Sequence, residues 1–127
     1  MSKQRQIILD VLQRASVHLS ADEIYSLARA HLKNIGLGTV YRNLNALCQQ
    51  GIIRKIEISG GPDRYDRNIE PHDHALCVKC GALKDCSADL GELYDALRFD
   101  GVEVLGRNLL VYCICKDCIE NTIKKVE

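Results

Sequence analysis

SADEIYSLARAHLKNIGLGTVYRNLNALCQQG, residues 20–51, decides the fold of the first half of this chain. Ser20-Ala21-Asp22-Glu23 has the form of a capping box, in which the serine hydroxyl takes one orphan amide of a helix start and Glu23 reaches back to another. A helix follows, with Ile24, Leu27 and Ala28 expected to face inward. Gly36 and Gly38 punctuate the chain. Thr39 to Gln50 then reads as a second helix of this stretch, with Val40, Leu44, Leu47 and Cys48 on one stripe and Gly51 just past its end.

Upstream, Gln4 to Arg14 places Ile7, Ile8, Val11 and Leu12 on one face of an amphipathic helix. Downstream, Ile56 and Ile58 alternate with Lys55 and Glu57 over residues 52–58. The breaker Gly60-Gly61-Pro62 and then Arg64 to Arg67 complete a hairpin. Three short helices closed by a hairpin predict a winged helix-turn-helix, whose third helix is the one presented to the major groove of DNA. Its exposed face is expected to offer Thr39, Tyr41, Arg42, Asn43 and Asn45. Arg can fork to guanine, Asn can pair with adenine, and Thr or Tyr can reach phosphate.

The remainder reads differently. Arg67 to His72 is a short polar hinge containing Pro71. Residues 74–79 and 83–85 read as strands, Ser87 as the cap of a helix with Leu90, Leu93, Tyr94 and Leu97 inward, 102–105 and 109–114 as strands, and 116–126 as a closing helix. The fold class is therefore α+β. The second unit, of about 60 residues, is small enough to need a metal or a second copy to hold it.

Cys77 and Cys80 form one C-x-x-C pair and Cys115 and Cys118 another, each able to supply half of a zinc tetrahedron. Residues 81–114 separate the pairs, a loop longer than that of a compact zinc ribbon. Doubling a loop costs only about 0.6 kcal/mol of closure entropy, whereas a structural zinc supplies on the order of 10 kcal/mol or more. A disulfide or a redox C-x-x-C is the competing reading. No signal peptide is read at the start, so the thiols are expected to stay reduced, and Cys80 runs into Gly81 rather than into a helix. Cys113 leaves an ambiguity, because C-x-C-x-x-C offers three thiols where two are needed. Cys48 and Cys86, like Cys113, are expected to be buried apolar residues.

His72 and His74 stand two apart, so on an extended strand both point the same way and can grip one ion. Asp66, Asp73 and Asp85 lie nearby in sequence. Imidazole with carboxylate suits ferrous iron or manganese when more than four ligands are present.

The chain has 127 residues, 46% of them hydrophobic and 27% charged, as in a globular protein. No apolar run approaches a membrane span, which predicts a soluble, cytoplasmic chain with no membrane partner. The net charge of zero divides unevenly: residues 1–67 hold 10 Lys/Arg against 6 Asp/Glu, and residues 68–127 hold 7 against 11. A basic half suits an anionic partner and an acidic half suits cations. No nucleophile, base and oxyanion pattern stands outside the candidate metal ligands, so an enzyme is not expected.

In SADEIY, GTVYRNLNAL, the RYD at the end of the hairpin, HDHALCVKCG and the terminal CKDC, the chain resembles the ferric uptake regulator (Fur) family over nearly its whole length. The resemblance implies a homodimeric, metal-activated transcriptional repressor that binds a double-stranded DNA operator. Residues 1–67 would be the winged-helix DNA-binding domain and 68–127 the metal-binding and dimerisation domain. It places a structural zinc on Cys77, Cys80, Cys115 and Cys118, and a regulatory ferrous iron or manganese on His18, Asp66, His72, His74 and Asp85. The DNA contacts fall on Thr39, Tyr41, Arg42 and Asn45.

That second ligand set is most similar to the peroxide-sensing (PerR-like) branch, in which iron-bound peroxide oxidises a ligand histidine, here His18 or His72, and DNA is released. Iron-sensing members commonly carry Glu where Asp66 and Asp85 stand. The alternatives are an iron-availability sensor of the same family and, from another class, a zinc-stabilised redox or metal-buffering protein that never touches DNA. Two departures from the family pattern are visible. Members usually carry a further helix or arm before the Gln-Arg found here at Gln4-Arg5. Arg107-Asn108 stands where many have a histidine of an additional metal site, which implies that this site is absent and Asp73 solvated.

Overall fold

The computed structural model describes residues 2–70 and 72–126, and of 122–126 the backbone alone. The expected hinge proline, Pro71, lies outside the described residues. The chain divides into two compact units, Met1–Glu70 and Pro71–Glu127, and the fold is α+β, with five helices and two three-stranded sheets among the described residues.

The first unit runs α1 (Lys3–Arg14), β1 (Leu19–Ser20), α2 (Ala21–Ala28), α3 (Leu37–Gln49), β2 (Arg54–Ile56) and β3 (Arg64–Asp66). Ser2 caps α1 by accepting from the Arg5 amide at 3.1 Å. The capping box at α2 is formed in both directions: the Glu23 amide donates to Ser20 Oγ at 3.3 Å and the Ser20 amide to Glu23 Oε1 at 3.0 Å. Ile8, Leu12, Ile24, Val40, Leu44 and Leu47 close the core, together with Tyr65 from the sheet. Each large aliphatic side chain removed from water contributes roughly 1.5–3 kcal/mol. Burial pushes the Tyr65 phenol up to about 12.

Two expectations change here. Leu27 is 48% exposed rather than inward, because α2 ends at Ala28 and core contact is carried by Ala21, Ile24 and Ala28. The first hairpin strand shortens to Arg54–Ile56: the Ile58 amide donates to Asp63 Oδ1 at 3.3 Å, so a side chain holds the hairpin tip in place of a ladder. The sheet also gains a strand that the sequence does not advertise. Antiparallel β1 pairs with β3 through Leu19↔Tyr65 and Ser20↔Arg64, giving the order β1-β3-β2.

The second unit runs β4 (Asp73–Cys77), β5 (Leu83–Cys86), α4 (Gly91–Phe99), β6 (Leu110–Cys113) and α5 (Lys116–Val126). Its sheet has the order β5-β4-β6, with β4 antiparallel to β5 and parallel to β6. Ser87 does not cap α4; Leu90 stands at the cap position and Asp89 Oδ1 accepts from the Gly91 amide at 2.9 Å. Residues 102–105 are not a strand. Gly101, at φ 80°, ends α4 with its amide on Arg98 O and the Val102 amide on Leu97 O, a left-handed stop that uses the donors a ladder would need. No residue of α4 is buried, Leu93 included, and Phe99 is 92% exposed. Cys86 is exposed on its edge strand and Cys113 half-buried, contrary to the expectation of buried thiols.

Candidate metal centre

The four paired cysteines converge. Cys77 closes β4, Gly81 at φ 77° lets the chain turn back, and the Gly81 amide on Cys77 O with the Cys77 amide on Ala82 O makes a tight knuckle. The parallel register Cys77↔Cys113 brings the end of β6, and thus Cys115, to the same end of the sheet. Cys118 follows in the first turn of α5. Cys77 Sγ lies 3.7 Å from Cys118 Sγ and Cys80 Sγ 3.7 Å from Cys115 Sγ, and all four sulfurs lie within 4.8 Å of one another. A zinc–thiolate tetrahedron with bonds of ~2.3 Å has sulfur–sulfur edges of about 3.8 Å, so the donors present fit zinc.

The amides of Cys115 and Cys80 donate to Cys77 Sγ at 3.3 and 3.5 Å. These bonds, the Cys115 amide foremost, favour the thiolate and lower the Cys77 thiol to about 6. Hydrogen bonding to Cys115 and burial push Cys118 up to about 12. Metal binding at such a cluster requires the thiols to give up their protons, and the two amides on Cys77 Sγ favour that for one of them.

In the first unit β1, the unadvertised strand, sets His18 opposite Asp66 by continuing the register Leu19↔Tyr65. His18 Nε2 lies 3.0 Å from Asp66 Oδ2. Asp66 Oδ1 accepts from the Asn68 amide at 2.9 Å, which fixes the carboxylate plane. In the second unit His72 precedes β4 and His74 lies within it, with ring centroids 4.5 Å apart. The register His74↔Asp85 places the carboxylate across the ladder from His74. His72 Nε2 and His74 Nε2 approach the same Asp85 Oδ1 at 3.2 and 3.3 Å. His74 is fully buried. Two imidazoles aimed at one carboxylate oxygen are a mixed nitrogen–oxygen donor set that fits a divalent first-row metal.

Asp73 does not join them, and it is not solvated. It is 1% exposed, on the opposite face of β4, where Arg107 forks onto it from Nε to Oδ1 at 3.0 Å and from Nη2 to Oδ2 at 2.7 Å. Arg107 also donates to Ala88 O at 2.9 Å and to the Tyr94 hydroxyl at 3.2 Å. Burial raises the Asp73 carboxyl, but the Ala88 amide and the Arg107 guanidinium outweigh it and hold it below the ordinary carboxylate value of 3.8. A depressed carboxyl stabilises the fold above its unfolded value and loses that contribution as pH falls through the folded one. Arg107→Ala should therefore lower the melting temperature at neutral pH far more than Arg98→Ala, whose partner Asp95 is exposed. Equal melting temperatures for the two variants would show that the buried pair contributes nothing.

On α3, Tyr41, Arg42 and Asn45 are exposed and Thr39 is half-buried, its Oγ1 accepting from Arg42 Nη2 at 3.2 Å. Asn43, expected on the exposed face, is buried: its Oδ1 accepts from Arg5 Nε at 3.1 Å and its Nδ2 donates to Thr39 O at 2.9 Å. Helical spacing carried the signal, since Asn43 falls three residues after Val40 and four before Leu47 on the inner stripe.

Among the described residues no helix is long and apolar enough to cross a membrane. Residues 1–112 match the model of the ferric uptake regulator family. The chain is 31% identical over 120 residues to the peroxide-responsive repressor PerR of Staphylococcus aureus, covering 93% of this chain and 81% of that protein. It superposes on the Helicobacter pylori ferric uptake regulator Fur, in which three functional metal binding sites were found, with a TM-score of 0.85 and 30% identity, over 94% of this chain and 81% of that one. The Campylobacter jejuni peroxide stress regulator gives a TM-score of 0.73 and 33% identity, over 91% and 88%. This chain belongs to the ferric uptake regulator family, whose members are transcriptional regulators and not enzymes.

Proposed function

We propose that this protein is a peroxide-responsive, metal-dependent repressor that acts in the cytoplasm as a homodimer on a double-stranded DNA operator. The observation that carries the reading is the donor set: an imidazole–carboxylate pair in one unit and two imidazoles on one aspartate oxygen in the other. In this reading one ferrous or manganous ion takes His18, Asp66, His72, His74 and Asp85, and a structural zinc takes Cys77, Cys80, Cys115 and Cys118. Because the first ligand set is divided between the two units, its occupancy biases their arrangement toward the one that binds DNA. Ferrous iron, when bound there, supplies the reductive activation of peroxide that adds oxygen to a nearby imidazole.

The residues themselves divide the remaining work. The aspartates orient the rings, β4 keeps His74 out of water, and Tyr41, Arg42 and Asn45 read the groove while Thr39 braces Arg42. The exposure of α4 along its length, with Phe99 at its last position, supports pairing with a second copy.

The test uses a duplex selected by manganese-loaded protein from a randomised pool, against a scrambled duplex of equal length. Binding should be metal-dependent and selective. Iron-loaded protein should lose it on peroxide treatment, with one added oxygen on a peptide containing His18 or His72 by mass spectrometry. Selective binding that survives peroxide with both histidines unmodified would leave an iron-availability sensor in its place.

A further inference from the structure

The buried Asn43 joins α1 to α3, and what it holds there is a guanidinium. Arg5 gives Asn43 its Nε–H; Asn43 gives Thr39 O its Nδ2–H; and Thr39 Oγ1 accepts from Arg42. These four residues form one hydrogen-bonded chain, and it sets the Arg5 guanidinium against α3 at Asn43, the residue next to Arg42. Neither α1 nor α3 carries an acidic residue in its first turn to offset them. Arginine has five N–H donors, and Asn43 takes the one on Nε, so the terminal nitrogens remain available as a fork. Two guanidiniums tied into one hydrogen-bonded chain repel each other in isolation and are favoured by an anion.

An α-helix with its side chains is about 10–12 Å across and the major groove about 12 Å wide, so the edges of an inserted helix meet the groove walls, which are phosphates. From this geometry we propose that Arg5 is a DNA-backbone contact, held in position by Asn43, that fixes the register of α3 in the groove. The inference rests on the DNA-binding reading above. It assigns Arg5 a sequence-independent role, distinct from that of Arg42, which projects from the exposed face.

Each phosphate neutralised by a protein cation contributes about 0.9 to the slope of log affinity against log salt, which amounts to roughly a fivefold change in affinity at ~0.15 M salt. Manganese-loaded protein, Arg5→Gln, Arg5→Lys and Arg42→Ala are titrated with the selected and the scrambled duplex between 50 and 200 mM salt, and each variant is checked by its melting curve. Arg5→Gln should weaken both duplexes about equally and flatten the slope by about one for each chain on the DNA, while Arg5→Lys keeps the slope. Arg42→Ala should weaken the selected duplex more than the scrambled one. An Arg5→Gln slope equal to that of the unmutated protein, with or without a loss of affinity, overturns the inference and leaves Arg5 as a brace for α3. Failure of the unmutated protein to prefer its selected duplex overturns the DNA reading itself, and the inference with it.

Discussion

Cys118→Ser is expected to release the zinc and loosen the whole of the second unit while the first still melts as a folded domain. The site lies where the knuckle after β4, the end of β6 and the start of α5 meet, so a metal held there would stand in for a core: of the unit's described apolar side chains, Leu76 and Cys77 are the ones buried. Serine is nearly isosteric with cysteine but offers a hydroxyl that does not deprotonate at neutral pH. Zinc content should fall from one per chain to near none, the amides of β4 and β6 should exchange with solvent, and the homodimer should dissociate. A Cys118→Ser protein that retains its zinc and its hydrogen-exchange protection would remove Cys118 from the ligand set and make Cys113, whose strand position opposes Cys77, the replacement thiol.

His18→Ala should abolish the metal dependence of DNA binding and leave zinc content and melting unchanged, since the two ligand sets share no residue. His18 is the proposed ligand most distant in sequence from the rest, and its Nε2 lies 3.0 Å from Asp66 Oδ2. If the DNA-competent arrangement takes the ion a hundredfold more tightly than the alternative, occupancy favours it by about 2.7 kcal/mol. Losing one ligand should remove most of that preference, so manganese should shift the affinity of His18→Ala for the selected duplex by less than about threefold, against roughly a hundredfold in the unmutated protein. A full manganese response in His18→Ala, read by fluorescence anisotropy, would exclude His18 as a ligand.

Features stated by local chemistry were legible in the sequence. The capping box at Ser20, the stripe of Val40, Leu44 and Leu47, and the α+β order need no more than a few neighbouring residues. The candidate ligands were legible as residue types at telling spacings. What holds them was not. β1 spans two residues, too few for alternation to show, yet its pairing with β3 places His18 beside Asp66. Arg107 and Asp73 are 34 positions apart and carry no joint signature, so the sequence alone presents Asp73 as a solvated carboxylate rather than half of a buried ion pair. Residues 102–105 resemble a strand because Val102 and Val104 flank Glu103, and a glycine stop at the end of α4 overrides that pattern.

The parallel pairing of β4 with β6 has a consequence for biosynthesis. Its register, His74↔Leu110 through Cys77↔Cys113, joins segments separated by the whole of β5 and α4, and the thiols that complete the cluster come later still. A ribosome making this chain exposes everything the first unit needs well before Cys115 and Cys118 have been polymerised. The first unit can therefore fold while translation continues, whereas β4 must wait, unpaired on its β6 side, until β6 has emerged. During that interval Cys77 and Cys80 stand without Cys115 and Cys118, so a metal that takes all four can close the second unit only after the last of them has emerged.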